Sequence, residues 1–160
     1  KEENLLLDYA HKYKIKNIIT IGQIKHSQIR PRLFKQLLEL QFELPAIISP
    51  LAYVAKGVSI GRGTIVMHGS IINRCSKIGE NNIINSRALI EHDAVIGDHC
   101  HISTGAILNG DVTVGTGSFI GSGSVIKQGI VIEKSCLVGM GLTVRHNLSN
   151  DSRFTDHDKT

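Results

Sequence analysis

The stretch ALIEHDAVIGDHCHISTGA, Ala88–Ala106, carries isoleucine at positions 90, 96 and 102. The step of six continues in both directions. From Val54 to Val144 sixteen consecutive sites hold Ile, Val or Leu, although these types make up only 47 of the 160 residues. Chance does not produce such a run, so it is an internal repeat. Two places before each aliphatic the residue is usually small or slender, as at Ala88, Ala94, Cys100, Ala106, Val112, Ser118 and Ser124. Each hexapeptide therefore has two inward positions, one large and one small.

A second period lies over the first. Gly61, Gly79, Gly97 and Gly115 recur every eighteen residues, each just after an aliphatic, so three hexapeptides make one coil. Glycine suits tight corners that other residues avoid. The pattern is that of a mainly β fold, a parallel β-helix of triangular coils stacked about 4.8 Å apart. Each buried Ile or Val then stabilises the stack by roughly 1.5–3 kcal/mol, and stacking replaces a globular core.

At 160 residues one main domain is expected. The net charge of +4 allows acidic partners, but aromatics are 4% of the chain and no basic run interleaves them. Nucleic acid is thereby disfavoured, since base stacking needs such rings. A phosphate-rich small molecule and an ordinary solvated surface both fit the charge. No apolar run is long enough for membrane insertion and no signal peptide is present, which implies a cytoplasmic protein. Cys75, Cys100 and Cys136 lack CxxC spacing and read as reduced thiols. Cys100 and Cys136, two coils or about 10 Å apart, are too distant for a disulfide. The chain starts at Lys1 without an initiator methionine and in mid-pattern, as if a segment preceded it.

The hexapeptides IGRGTI (Ile60–Ile65), IGENNI (Ile78–Ile83) and VGTGSF (Val114–Phe119) resemble those of the hexapeptide-repeat acyltransferases, over roughly Ser49 to Val144. The resemblance implies a left-handed parallel β-helix, an exception to the right-handed crossover rule, assembled as a homotrimer.

Ahead of the repeat, KNIITIGQI (Lys16–Ile24) reads as a buried strand. Ser27–Phe42 reads as an amphipathic helix with Ile29, Leu33, Leu37 and Leu40 on one side and Pro31 in its first turn. Pro45–Pro50 then reads as a short strand or linker. This order makes residues 1–45 a partial small α/β, Rossmann-like unit. It is either a cap on the open end of the solenoid or half of a nucleotide-sugar-binding domain. Residues 46–147 form the β-helix and 148–160 a C-terminal tail.

Three stretches are similar to one branch of the family, the sialic acid O-acetyltransferases and the N-acetyltransferases of nucleotide-linked amino sugars. They are IGQIKHSQIRPRLFKQL (Ile21–Leu37), FELPAIISPLAYVAKGVSIG (Phe42–Gly61) and IINSRALIEHDAVIGDHCHISTGA (Ile83–Ala106). Two features of that branch are missing from the sequence: the GxGGHG-type phosphate loop, and the GxPAK-like closing segment, here replaced by RHNLSNDSRFTDHDKT (Arg145–Thr160).

His92 and His101 fall outside both inward phases. His99 and His101 flank inward Cys100, so both point outward from the coil. Nine residues, half a coil, separate His92 from His101, which puts them on opposite sides of one prism. In a trimer, His92 of one chain could face His101 of its neighbour, so the spacing favours an interfacial site. A neutral imidazole can take a proton near neutral pH, and an adjacent carboxylate orients it. His92 followed by Asp93 supplies that pair.

By resemblance His92 is the general base and Asp93 its partner, where many relatives carry Glu. Asn85 and Glu91 match positions lining the acceptor sugar. His101, Gly121, Ser122, Gly139 and Met140 match positions along acetyl-CoA. The plainer reading of these residues is solvated corners and corner glycines. A zinc site built on His99 and His101, as in the β-helical carbonic anhydrases, would need that family's wide histidine spacing. The spacing is absent and no metal is expected. The implied function is acetyl-CoA-dependent acetylation of an amine or hydroxyl on a nucleotide-activated sugar in surface-glycan precursor biosynthesis. The alternative is a catalytically inactive scaffold or sugar-nucleotide-binding subunit.

Overall fold

A computed structural model describes residues 8, 10, 12–23 and 28–156. Two-residue strands recur every six residues, from Ile47–Ile48 to Thr143–Val144, and Arg153–Phe154 follows. Strands eighteen residues apart pair in parallel, for example Ile83–Ile84 with His101–Ile102 and those with Phe119–Ile120. Three sheets of seven, six and five strands result, wrapped as the faces of a prism. From Val66 to Val144 every sixth aliphatic is buried on the axis, while Val54 and Ile60 in the first coil are half-buried.

The small inward position adds a polar ladder. The hydroxyls of Thr64, Ser70, Ser76, Ser118 and Ser124 each donate to the carbonyl fifteen residues later, at 2.6–3.0 Å. Buried hydroxyls are thus satisfied within the stack, as burial requires. Cys100 occupies the same position, and burial pushes its thiol up to about 12.

The eighteen-residue glycines serve a different purpose from the one expected. None of Gly61, Gly79, Gly97 or Gly115 has a left-handed φ. A Cβ on Gly61 would lie 2.5 Å from the Gly79 carbonyl carbon, and one on Gly115 2.6 Å from that of Glu133. Close approach of stacked corners therefore requires them. The left-handed residue falls two places later and recurs every six residues from Gly57 to Gly141, occupied by Asp93, His99 and Asp111 as well as by glycine.

The flanks depart from expectation in two ways, at the expected strand Lys16–Ile24 and at the buried face of the helix, while a short strand does follow Pro45. Instead of a strand over Lys16–Ile24 there is one parallel bridge, Lys16 to Glu43, followed by irregular chain; Ile24 lies outside the described residues. Helix α1 spans Ile29–Glu39 and buries Arg30 and Phe34, while Ile29 and Leu40 are exposed and Leu33, Leu37 and Leu38 are half-buried. Its buried face is rotated because the helix docks on a corner of the β-helix. Ile47–Ile48 pairs with Ile65–Val66 and so opens the seven-stranded sheet of the solenoid.

Arg30 makes the dock. Its guanidinium donates to the carbonyls of Ile19 (2.6 Å) and Ile21 (3.0 Å) on the N-terminal segment and to those of Gly63 (3.2 Å) and Asn81 (3.4 Å) on the corner. Burial lowers this guanidinium to about 10. Phe34 fills the space over Gly63 and meets the His99 ring edge-on at 5.6 Å.

Residues 148–156, expected as tail, add a further coil contracted by two residues. Leu148 bridges Ile132, and Arg153–Phe154 pairs with Leu137–Val138. Phe154 is buried and closes that end of the stack.

Candidate active site

Going round one coil, Leu89–Ile90 lies in the six-stranded sheet, Val95–Ile96 in the five-stranded sheet and His101–Ile102 in the seven-stranded sheet. Glu91, His92 and Asp93 make the corner between the first two. Backbone bonds to both neighbouring coils hold it: Asp93 N–H donates to the Arg74 carbonyl (3.1 Å) and Asp111 N–H to that of His92 (3.0 Å). In a strand, consecutive side chains point apart. The left-handed turn at Asp93 (φ 61°) lets them meet, and His92 Nδ1 lies 2.8 Å from Asp93 Oδ2.

The carboxylate can only accept, so Nδ1 carries the proton and Nε2 keeps its lone pair. His92 and Asp93 are half exposed, at 51% and 57%. Glu91 is held back from them by Asn73, whose Nδ2 donates to Oε2 at 2.9 Å.

The other matched residues collect on and beside the seven-stranded sheet. His101 is 7% exposed, because the N-terminal segment covers it. Outward direction does not mean solvent here. His101 Nδ1–H donates to the Gln23 carbonyl. Asn85 Nδ2 donates to its Nε2 at 3.2 Å, and Asn85 Oδ1 accepts from Ser86 N–H, which fixes the amide. The Phe119 ring stands edge-on to the imidazole at 5.2 Å. Burial holds His101 below the usual histidine range; the Gln23 carbonyl raises it and the Arg30 charge adds to the lowering.

His99 is lowered for the same first reason, with Asp98 and Glu80 opposing and Arg30 reinforcing. Its Nδ1 pairs with Asn81 Nδ2 at 2.9 Å. Gly121, Ser122, Gly139 and Met140 lie at the corner that follows the seven-stranded sheet. A Cβ on Gly121 would lie 2.5 Å from the Gly139 carbonyl carbon. Ser122 Oγ contacts Ser103 Oγ at 2.8 Å, and Met140 is 76% exposed.

One chain therefore groups Asn85 with His101 and separates both from Glu91, His92 and Asp93. Sequence reading missed Gln23, Asn73 and Arg30. An arginine inside an amphipathic helix carries no signal of burial, and Gln23 matters through its backbone carbonyl. Among the described residues, no three His, Cys, Asp or Glu side chains are placed to hold a metal, and no helix is long and apolar enough to cross a membrane.

Comparison with known proteins completes the assignment. Family models match for bacterial transferase hexapeptide (six repeats) over residues 75–110 and for the hexapeptide repeat of succinyl-transferase over 111–145. PerB from Caulobacter crescentus, solved with CoA and GDP-perosamine, is 33% identical with a TM-score of 0.83, over 92% of this chain and 70% of that one. The chain belongs to the hexapeptide-repeat acetyltransferase family. The acetyltransferase domain of PglB from Neisseria gonorrhoeae, solved with acetyl coenzyme A, is 26% identical with a TM-score of 0.88, over 96% of this chain and 73% of that one. WeeI from Acinetobacter baumannii is 29% identical with a TM-score of 0.77, over 89% and 69%. No curated protein matches the chain.

Proposed function

We propose that the protein transfers the acetyl group of acetyl-CoA to the amine of a nucleotide-linked amino sugar, with His92 as general base. The observation that carries this is the His92–Asp93 pair, whose imidazole is half exposed and whose Nε2 has no hydrogen-bond partner among the described residues. A free-amine nucleophile attacks the thioester carbonyl carbon while Nε2 takes its proton. The tetrahedral intermediate collapses, the carbon–sulfur bond breaks, and the leaving thiolate receives a proton from the imidazolium. Asp93 holds the tautomer and stabilises that imidazolium.

PerB, bound to CoA and GDP-perosamine, supports both the donor and a nucleotide-sugar acceptor. The matching perosamine N-acetyltransferase was also solved with both ligands as a histidine-to-asparagine variant, in keeping with a histidine at the reacting centre. The N-acetylated product would be a glycan precursor made in the cytoplasm, where acetyl-CoA is available.

A homotrimer would complete the site. Tyr53, Ile71, Leu89, Ile107 and Val125 form an outward apolar stripe along the six-stranded sheet, in register through its pairing. Such a stripe supports an interface with a second copy. Packed against a second copy, the His92 corner of one subunit would face the next subunit's surface bearing His101, Gly121, Ser122, Gly139 and Met140, where acetyl-CoA would lie. Asn85 and Glu91 would flank the acceptor from either side.

The test is His92→Ala assayed with acetyl-CoA and GDP-perosamine or related amino-sugar nucleotides, with oligomeric mass measured in parallel. Turnover should fall by about 10²–10⁴-fold, the range for a lost general base, with the trimer retained. Wild-type turnover in the variant would remove His92 from the mechanism.

A further inference from the structure

Six residues occupy the second place of successive corners beside the six-stranded sheet: Lys56, Arg74, His92, Gly110, Gln128 and His146, each eighteen residues from the next. Five carry long side chains. The one gap falls directly above His92. A Cβ built on Gly110 would lie 2.7 Å from His92 Cε1, 2.9 Å from Nε2 and 3.3 Å from Nδ1. The edge of the imidazole that bears both nitrogens is therefore laid against the bare backbone of residue 110.

Backbone conformation does not require glycine there, because Gly110 is outside the left-handed region. Nor does the stacking of corners, which demands glycine at Gly61 and Gly115 through backbone contacts; at Gly110 all three nearest atoms belong to His92. The neighbouring bonds fix the backbone itself: Asp111 N–H donates to the His92 carbonyl at 3.0 Å, and Gly129 N–H to that of Gly110 at 3.0 Å. The ring, the softer partner, would be the one to move.

We propose that Gly110 is a positioning residue for the general base. Its missing side chain is the seat that keeps the His92 ring in contact with Asp93 and its Nε2 at a set place. Any side chain at 110 turns the ring out of that seat and breaks the 2.8 Å bond to Asp93. As a contribution to turnover this rests on the acetyltransferase reading of His92; as a contact it does not.

The variant is Gly110→Ala, compared with wild type, His92→Ala and the double variant. Turnover should fall by about 10–10²-fold, as displacement of a reacting group by about 1 Å does, with little change in KM for acetyl-CoA and a shifted pH profile. The ¹⁵N spectrum of the His92 imidazole should show Nδ1 protonated in wild type and a tautomer mixture in Gly110→Ala. The Tm lost on adding the methyl should largely vanish when His92 is already alanine, since coupled sites are not additive. Wild-type imidazole shifts in Gly110→Ala, or an equal Tm loss with and without His92, would overturn the proposal. So would a double variant that fails to fold. The spectrum and the cycle need no substrate, so they decide the seat separately from the acetyl-transfer reaction.

Discussion

His92 and His101 belong to one coil, nine residues apart, and differ in almost everything else. His92 sits on a corner, its side chain half exposed, with a carboxylate on Nδ1 and, among the described residues, no hydrogen-bond partner on Nε2. His101 lies under the N-terminal segment with Gln23 on one nitrogen and Asn85 on the other. The coil gives both the same outward direction. What packs outside the coil decides that the first can take a proton and that the second is held neutral and still.

The comparison is broken most directly at His92. Beyond His92→Ala, Asp93→Asn should lower turnover by about 10–10²-fold, because an amide in place of the carboxylate no longer enforces Nδ1 protonation. The loss should be smaller than for His92→Ala. An Asp93→Asn enzyme with wild-type turnover and pH profile would show that the 2.8 Å pair does not orient the base.

The next effect is on the other side. Arg30→Met should destabilise the protein by about 3 kcal/mol, since it leaves the buried carbonyls of Ile19, Gly63 and Asn81, and the part-buried one of Ile21, without their donor. Hydrogen exchange at Asn17–Gln23 should rise while exchange in the coils around Ile120 stays slow. Uniform exchange across both regions would mean that Arg30 does not dock the segment. His92 chemistry, remote from the dock, should keep its pH profile.

Legibility in the sequence follows the same division. The coils were readable because one rule, two inward positions per six residues, repeats without interruption from Val54 to Val144, so that even Cys100 could be placed. Asp93 beside His92 was readable because adjacency in sequence became adjacency in space through one left-handed turn. The cover over His101 was not readable. It comes from a bond between residues 23 and 101 whose acceptor is a backbone carbonyl, and backbone carbonyls have no sequence signature. The α1 face was misread because Arg30 is buried by four carbonyls rather than by an acid, and periodicity counts arginine as exposed. The last coil, Leu148 to Phe154, hid behind its two-residue contraction.

The smallest expected effect sharpens the contrast through pH. His101 and His99 both hold their protons less readily when folded, chiefly through burial. As pH falls below about 6.5, the unfolded chain takes up protons that the folded chain refuses, so stability drops on the acid side and is fully present above that value. The groups facing the two imidazoles are Gln23, Asn85, Phe119 and Arg30 around His101, and Asn81, Phe34, Asp98, Glu80 and Arg30 around His99. Arg30 cannot relieve the strain on protonation, because it is itself a buried cation. Loosening should therefore begin at the dock, with Asn17–Gln23 exchanging faster before the coils do. His101→Gln, which can donate to the Gln23 carbonyl but does not titrate, should flatten the Tm change between about pH 7.5 and about pH 5.5, leaving His99's share. An unchanged slope would mean that His101 is not what makes the dock acid-sensitive, and the contrast with His92 would then rest on geometry alone.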